Sequence, residues 1–247
     1  TRLATLFPYT TLFRSRRPPP DRIANGPPRS RLRLDARGAR GLSPGACEDR
    51  VVITLRTKTP GSWAERAAAS LPDLVADHAA CELQAAVFAL ALVGRYPGDP
   101  LLVDRLSALA AEELRHFRKA MREARRLGAR VGTRRANAYV SALRAAGRAG
   151  REPEQGLDLL LCGALVEARS HERFLALVPR LAAEPRLAKL YVELAAAEER
   201  HGPAYLELAE RHAGREATAA RLEELLDVEA RAIAGAPTSP VAVHSGA

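Results

Sequence analysis

The residues of this 247-residue chain that are best suited to chemistry occur in two copies of one pattern. Each copy has a Glu and, 31 residues later, a second Glu that is followed after three residues by a His. The two copies are offset by 85 residues, and flanking Leu, Ala and Arg residues match as well, so chance is a poor explanation. The six residues of the pattern are Glu82, Glu113, His116, Glu167, Glu198 and His201.

This spacing places carboxylates and imidazoles on one side of a helix. Residues i and i+3 lie about 60° apart around a helix axis, so Glu113 and His116 point the same way. Four carboxylates that face a bundle interior without partners are strongly desolvated and repel one another, and two divalent cations remove that conflict. One Glu from each of two helices plus Glu-x-x-His from each of two others is the ligand set of ferritin-like dinuclear sites. The six residues are therefore predicted metal ligands, with Glu113 and Glu198 as bridges, for iron or manganese.

The elements that must position these residues are predicted to be helices. No stretch alternates with period two, so a sheet is not expected. Ser62 and Asp99 are suitable helix caps, whereas Pro203 is expected to kink its helix because it removes a backbone hydrogen bond. The pattern predicts long helices over about 72–95, 100–128, 153–181 and 185–212, and shorter ones after Ser62, at about 137–149 and at about 216–234. The predicted fold class is an all-α, ferritin-like four-helix bundle with additional short helices.

Composition divides the chain into three parts. Residues 1–55 are predicted to be a disordered or extraneous segment, residues 60–235 the helical bundle domain, and residues 236–247 a C-terminal tail. The first fifty residues contain 11 Arg and four acidic residues, so the formal net charge of +9 is mostly a property of that segment. Three scattered cysteines favour a reducing cytoplasm. The longest apolar run, 85–94, is about half a membrane span, so no membrane interaction is expected.

Longer strings around the six residues resemble one family. They are Asp77-His-Ala-Ala-Cys-Glu82, Glu112-Glu-Leu-Arg-His-Phe117, Gly163-Ala-Leu-Val-Glu-Ala-Arg-Ser170 with Glu172-Arg-Phe174, and Glu198-Glu-Arg-His201. Over about residues 60–212, the chain is similar to the bacterial tRNA hydroxylases that act on 2-methylthio-isopentenyl-adenosine next to the anticodon. The metal-ligand motifs are general to ferritin-like proteins, and the strings around Glu82 and Glu167 select this family.

The resemblance implies a non-haem diiron monooxygenase that hydroxylates the isopentenyl group of the modified adenosine. It implies two iron ions as cofactor, dioxygen as co-substrate and no catalytic residue beyond the metal ligands. The chain has no flavin or nicotinamide motif and no cysteine cluster, so an external electron donor of the reductase or ferredoxin type is expected. The implied partner is tRNA and the implied location is the cytoplasm, while the oligomeric state is left open.

Two further groups of residues are assigned weaker roles. Asp77 and His78 precede Glu82 by about one helical turn and are predicted to support the metal ligands from outside. Residues 104–151 carry 13 basic and four acidic side chains, a surface suited to tRNA phosphates or to ordinary solvation. The candidate tRNA-binding residues are Arg115, Arg118, Lys119, Arg122, Arg125, Arg126, Arg130, Arg134 and Arg135.

Other functions fit the same ligand pattern. A ferritin-like ferroxidase, peroxidase or dimanganese catalase would use a similar set of carboxylates and imidazoles without acting on tRNA. A rubrerythrin would need an additional four-cysteine iron module, which three scattered cysteines do not provide. A degenerate, metal-free bundle that serves as a binding module is the third possibility, and metal analysis of the purified protein separates it from the others.

Overall fold

The structure, a computed structural model, describes residues 53–129 and 137–235. Within those residues it contains helices and connecting segments but no strand, which confirms the predicted all-α class. Residues 1–52 and 236–247 lie outside the described residues, so the three predicted parts of the chain stay predictions. The α-helices are α1 (Gly61–Ala69), α2 (Leu71–Arg95), α3 (Pro100–Arg126), α4 (Ala138–Ala145), α5 (Glu154–Leu177), α6 (Pro185–Ala213) and α7 (Arg215–Ala234).

The four long helices that carry the repeated motif form two pairs. Helix α2 packs along α3, and α5 packs along α6, each pair being joined by a short connection that makes its helices antiparallel. The pairs meet where α3 contacts α6. Helix α7 packs against both α5 and α6, and α4 packs against α5 and α7. The helix between the two halves of the repeat and the helix after them therefore both cover the second pair.

The hydrophobic core is divided into two parts by the layer that holds the repeated motif. One part contains Ala86 to Leu92 of α2 and Tyr205 to Ala209 of α6. The other contains Leu74 to Ala79 of α2 and Leu187 to Ala195 of α6. The acidic residues of the pattern lie between these stretches on both helices, so apolar packing above and below keeps the polar layer away from solvent.

Side-chain caps mark the beginning of two of the described helices, α3 and α4. The Asp99 carboxylate accepts hydrogen bonds from the backbone N–H groups of Leu101 and Leu102, both at 3.1 Å, which confirms the predicted cap of α3. Asn137 caps α4 in the same way through the N–H of Val140, at 2.9 Å. The predicted cap Ser62 is wrong, because α1 begins at Gly61 with the extended Pro60 before it, which places Ser62 inside the first turn.

Helix α6 continues through the proline that was expected to disturb it. Pro203 is an interior residue of α6, and the helix extends ten residues further, to Ala213. The Pro203 side chain is exposed, so the missing N–H group belongs to the solvent side of the helix. The kink itself stays a prediction.

Helix α2 is the one described helix that is long and apolar enough to cross a membrane by length and composition. Eight of its residues are nevertheless buried in the bundle, and two of them, His78 and Glu82, are polar. Many of the apolar residues of α2 are therefore those of a core helix that packs against α3. The expected absence of a membrane partner stays a prediction.

A buried ion pair connects α7 and the segment before α1 to the second helix pair. Arg169 of α5 is fully buried and donates a hydrogen bond from Nε to Glu229 Oε1 of α7 at 2.8 Å, and its Nη2 lies 2.7 Å from the same oxygen. It also donates to the Thr57 carbonyl at 2.7 Å and to the Glu172 carboxylate at 3.0 Å. Thr59 donates to Glu172 as well, at 2.6 Å, so residues 57–59 are held against α5.

Candidate metal centre

The six residues of the repeated pattern meet in the interior of the bundle. Their side chains come from α2, α3, α5 and α6, and every residue is at most 4% exposed. Burial of this kind is unusual for Glu, which is almost never fully buried without a partner. The structure thus brings together all six residues that the sequence singled out, namely Glu82, Glu113, His116, Glu167, Glu198 and His201.

Two overlapping groups of four side chains exist within this cluster. The first consists of Glu82, Glu113, His116 and Glu198, and the second of Glu113, Glu167, Glu198 and His201; within each group the ligand-type atoms lie within 4.8 Å of one another. Glu113 and Glu198 belong to both groups. A carboxylate has two oxygens, so a residue shared in this way has the position required to bridge two ions.

The imidazole of each Glu-x-x-His motif turns its Nδ1 toward the carboxylates. His201 Nδ1 lies 2.8 Å from Glu113 Oε1 and 3.3 Å from Glu198 Oε2. His116 Nδ1 lies 3.5 Å from Glu82 Oε2. The two rings are separated by 6.2 Å between their centroids, so each histidine serves one end of the cluster.

Several buried atoms of the cluster have no hydrogen-bond partner among the described residues. His201 Nδ1 approaches Glu113 Oε1 closely, but the geometry is not that of a hydrogen bond. An unsatisfied buried polar atom is expensive, and a set of them that converges on one place is a set of lone pairs suited to cations. These atoms are Glu82 Oε2, Glu113 Oε1, His116 Nδ1, Glu198 Oε2 and His201 Nδ1. The donor set of four carboxylates and two imidazoles therefore fits a pair of divalent metal ions.

The electrostatics of the cluster are those of a site with too little positive charge. Burial and the neighbouring Glu82 raise the pKa of Glu113 well above its usual value. Burial likewise raises the pKa of Glu198, to about 8. Burial alone would lower the pKa of His201, but the carboxylates of Glu113 and Glu167 outweigh it and raise that pKa to about 9. In the absence of a cation these groups retain protons, which a metal ion would replace.

Glu82 is the exception among the four carboxylates, and His78 is the reason. Burial would raise the pKa of Glu82, yet the neighbouring His78 and His116 rings hold it well below its usual value. His78 Nε2 donates a hydrogen bond to Glu82 Oε1, and its Nδ1 accepts one from the Tyr191 hydroxyl at 3.2 Å. His78 thus contacts a cluster carboxylate, and its supporting role stays a prediction. The other predicted supporting residue, Asp77, is partly exposed, and its charge contributes to the raised pKa of Tyr191.

One supporting residue, Glu112, was missed by sequence reasoning. His201 Nε2 donates to Glu112 Oε2 at 3.1 Å, and Arg200 donates to the other carboxylate oxygen at 2.9 Å. Partial burial acts in the opposite direction, but His201 and Arg200 lower the pKa of Glu112. Because Nε2–H donates to this carboxylate, the lone pair of the neutral ring is on Nδ1, which faces the cluster. The sequence signal for this role was a Glu directly before the predicted ligand Glu113. The repeat did not point to it, because the counterpart of Glu112 in the second half is Ala197.

With this geometry established, the chain can be set beside known proteins. Residues 48–245 match the family described as tRNA-(MS2IO6A)-hydroxylase (MiaE). A tRNA 2-(methylsulfanyl)-N(6)-isopentenyladenosine(37) hydroxylase from Pseudomonas putida is 40% identical over 188 residues, which cover 76% of this chain and 90% of that protein.

The chain belongs to the MiaE family. A hydroxylase of the same name from Salmonella typhimurium is 30% identical and covers 79% of this chain and 89% of that protein. The family that the sequence strings predicted is therefore confirmed, and so is the prediction that the chain is an enzyme.

A solved structure supports the fold of this MiaE-family chain. Protein 43 from Synechococcus, described as having aldehyde deformylating oxygenase activity, has a TM-score of 0.74 and 37% sequence identity, and the match covers 79% of this chain and 97% of that chain. The predicted ferritin-like bundle is confirmed.

The structure separates the candidate tRNA-binding residues into three sets. Arg115, Arg118, Arg122 and Arg125 are exposed on α3 at intervals of three, four and three residues, so they form one stripe, and none of them makes an ion pair with another described residue. Lys119 is paired with Glu193, and Arg126 with Glu123 and Glu184. The remaining three, Arg130, Arg134 and Arg135, lie outside the described residues.

Proposed function

We propose that this protein hydroxylates the isopentenyl group of 2-methylthio-isopentenyl-adenosine next to the anticodon of tRNA, with two iron ions as cofactor and dioxygen as co-substrate. The observation that carries the proposal is the pair of overlapping buried ligand groups that share Glu113 and Glu198. Family membership supplies the substrate class, because the relatives from Pseudomonas putida and Salmonella typhimurium are named for this nucleoside.

Each part of the cluster has a distinct task in this proposal. Glu113 and Glu198 would bridge the two ions, Glu82 and His116 would complete one position, and Glu167 and His201 the other. When bound, an iron pair supplies two-electron activation of dioxygen, so that one oxygen atom enters a substrate C–H bond and the other leaves as water, with two electrons and two protons from outside.

The remaining task of the protein is to exclude water and to hold the ligands in place. The apolar layers on both sides of the cluster keep solvent away, and His78 and Glu112 fix the orientation of Glu82 and His201. Cys81 and Cys162, the cysteines of the described residues, form no disulfide, and burial raises the pKa of the Cys162 thiol to about 12. We therefore assign electron delivery to an external donor of the reductase or ferredoxin type.

The unpaired stripe on α3 supports tRNA as the partner. Four exposed guanidinium groups without carboxylate partners among the described residues are available to phosphates, whereas paired side chains must first give up an ion pair. We assign the contact with the anticodon arm to Arg115, Arg118, Arg122 and Arg125. Because its substrate is tRNA, the protein is proposed to act in the cytoplasm without a membrane partner.

A second candidate is an oxygenase that acts on a small aliphatic molecule and not on RNA. The similarity to the Synechococcus protein with aldehyde deformylating oxygenase activity favours it. The α3 stripe argues against it, since a small neutral substrate has no use for a row of unpaired guanidinium groups.

Nucleoside mass spectrometry of tRNA from cells with and without the gene distinguishes these functions. The hydroxylated prenyl-adenosine should be present in the parent strain, absent from the deletion strain, and restored by the wild-type gene but not by Glu113→Ala. Purified protein loaded with iron and given a reductant and oxygen should convert unhydroxylated tRNA. If the hydroxylated nucleoside persists in the deletion strain, the proposed function is wrong.

The RNA contact has a matched test on one helix. Arg118→Gln with Arg122→Gln should weaken tRNA binding and reduce the slope of log K against log salt by about two, one for each lost phosphate contact. Lys119→Gln with Arg126→Gln removes the same charge from side chains that are already paired, and should change the slope less. Equal slopes for the two double variants would show that the unpaired arginines of α3 do not contact tRNA phosphates.

A further inference from the structure

The two halves of the cluster differ one helical turn before the first Glu of each repeat. In the first half this position is His78, whose imidazole donates to Glu82. With the 85-residue offset, the equivalent position before Glu167 is Gly163. The second half therefore has no side chain where the first half has its supporting ring.

An aromatic ring from α6 occupies the space that Gly163 leaves. A Cβ atom on Gly163 would lie 2.8 Å from Cε1 and 2.9 Å from Cδ1 of Tyr205, which is closer than van der Waals contact allows. Glycine is therefore required at this point of α5, since any side chain would displace the ring. The counterpart of Tyr205 in the first half is Ala120, so this arrangement occurs only once in the repeat.

The Tyr205 hydroxyl is buried without a partner. The residue is 0% exposed, and its oxygen makes no hydrogen bond within the described part of the chain. The other buried phenols behave differently: the Tyr191 hydroxyl donates to His78, and the Tyr139 hydroxyl donates to the Leu165 carbonyl at 3.4 Å. A buried hydroxyl without a partner is costly, so its presence calls for an explanation.

The Tyr205 ring lies beside the second half of the cluster. Tyr205 follows His201 by one turn of α6, and Gly163 precedes Glu167 by one turn of α5, so the ring is next to the layer that holds both residues. Burial raises the pKa of Tyr205 well above its usual value, and among the charged groups Glu167 and Glu113 contribute most to the same effect. A phenol is protonated at neutral pH in any case, so the buried Tyr205 hydroxyl has one hydrogen bond to donate.

We propose that the Tyr205 hydroxyl is the hydrogen-bond donor for a small exogenous ligand of the metal pair, bound at the Glu167 side of the cluster. A small anion or a neutral molecule with an oxygen lone pair fits, because a phenol donates one hydrogen bond. The inference rests on the metal pair of the proposed function and is independent of the tRNA substrate. The Glu82 side, where the His78 ring occupies the equivalent position, does not receive this ligand.

Azide binding to the iron-loaded, oxidised protein tests the inference. Azide is a small anion whose complex with ferric iron is followed by its visible absorption, and iron per chain is counted on the same samples. Tyr205→Phe should keep two irons per chain and weaken azide binding at least about tenfold, as expected for loss of a hydrogen bond to a charged ligand. Tyr139→Phe removes an equally buried hydroxyl that already has a partner, and should bind azide as the wild type does.

A second variant reaches the same hydroxyl without altering it. Gly163→Ala displaces the Tyr205 ring and should therefore also weaken azide binding. Gly94→Ala, which has open space at its Cβ position, should not.

If Tyr205→Phe carries two irons and binds azide with wild-type affinity, the hydroxyl does not contact the bound ligand and the inference is wrong. If the wild-type chain takes up no metal, the iron count shows it, and both the metal pair and this inference fail. If iron is bound and the azide shift is seen but tRNA is not modified, only the proposed substrate fails.

Discussion

The two helix pairs of this bundle supply the same types of proposed metal ligand but support them differently. On the α2 and α3 side, Glu82 is supported by His78, which is in turn held by Tyr191 of α6. On the α5 and α6 side, His201 is supported by Glu112 of α3. In each case a group from the opposite pair completes the support. The repeat in the sequence therefore sets the positions of the six cluster residues along their helices. The orientation of their side chains depends on contacts between the two helix pairs.

The largest expected effect comes from the residues that both halves share. Glu113→Ala and Glu198→Ala should each reduce bound metal from two ions per chain to none and abolish hydroxylation, because each side chain belongs to both ligand groups. Metal analysis after reconstitution measures this. Glu123→Ala is the control: that carboxylate is on the same helix but pairs with Arg126 and Arg186, so two ions should remain. A variant of Glu113 that keeps both ions would show that the halves do not share this residue.

Substitution of either histidine should affect only one of the two metal positions. His116→Ala should lose the ion held with Glu82, and His201→Ala the ion held with Glu167, so each variant should retain about one ion per chain. Spectra of the two singly loaded proteins would differ, because the remaining ions have different neighbours. If either substitution empties both positions, the sites are too strongly coupled to be treated as two halves.

The free energy of unfolding should depend strongly on the partner of Arg169 in the second pair and only weakly on the counterpart of Arg169 in the first pair. Glu229→Ala leaves Arg169 buried without its α7 partner and should lower the free energy of unfolding by about 3 kcal/mol. The counterpart of Arg169 in the first half is Gln84, which is only partly buried, and Gln84→Ala should cost less than about 1 kcal/mol. Denaturant unfolding of the metal-free chain measures both. Similar losses would mean that the cover provided by α7 adds no stability of its own.

The supporting residues should give the smallest effects. His78→Ala and Glu112→Ala should each weaken metal binding by about tenfold to a hundredfold without removing an ion at saturation. The effect of His78→Ala should fall on the ion next to Glu82, and that of Glu112→Ala on the ion next to His201. Competition with a chelator measures the two affinities. Wild-type affinities in both variants would show that neither residue orients a ligand.

Much of the fold was predictable because its signals are local. The spacing of apolar residues gave the long helices, and Asp99 marked the start of α3 through its own hydrogen bonds. Ser62 misled because a cap residue must itself lie outside the helix, whereas Pro60 is the cap of α1 and the helix begins two residues earlier than a Ser62 cap would place it. For the basic residues, composition could not distinguish Arg118, which is unpaired within the described chain, from Lys119, whose partner is on another helix.

The sequence by itself determined that acidic and imidazole groups face one another inside a helical bundle. Helix periodicity and the cost of burying charge leave few other arrangements for a twice-repeated Glu and Glu-x-x-His. Only the tertiary structure decided which residues hold these groups by hydrogen bonds. Glu112 bonds to His201, 89 residues away, and Tyr191 bonds to His78, 113 residues away. Those contacts depend on the rotation and crossing of helices that are distant in the chain, and no local pattern fixes either.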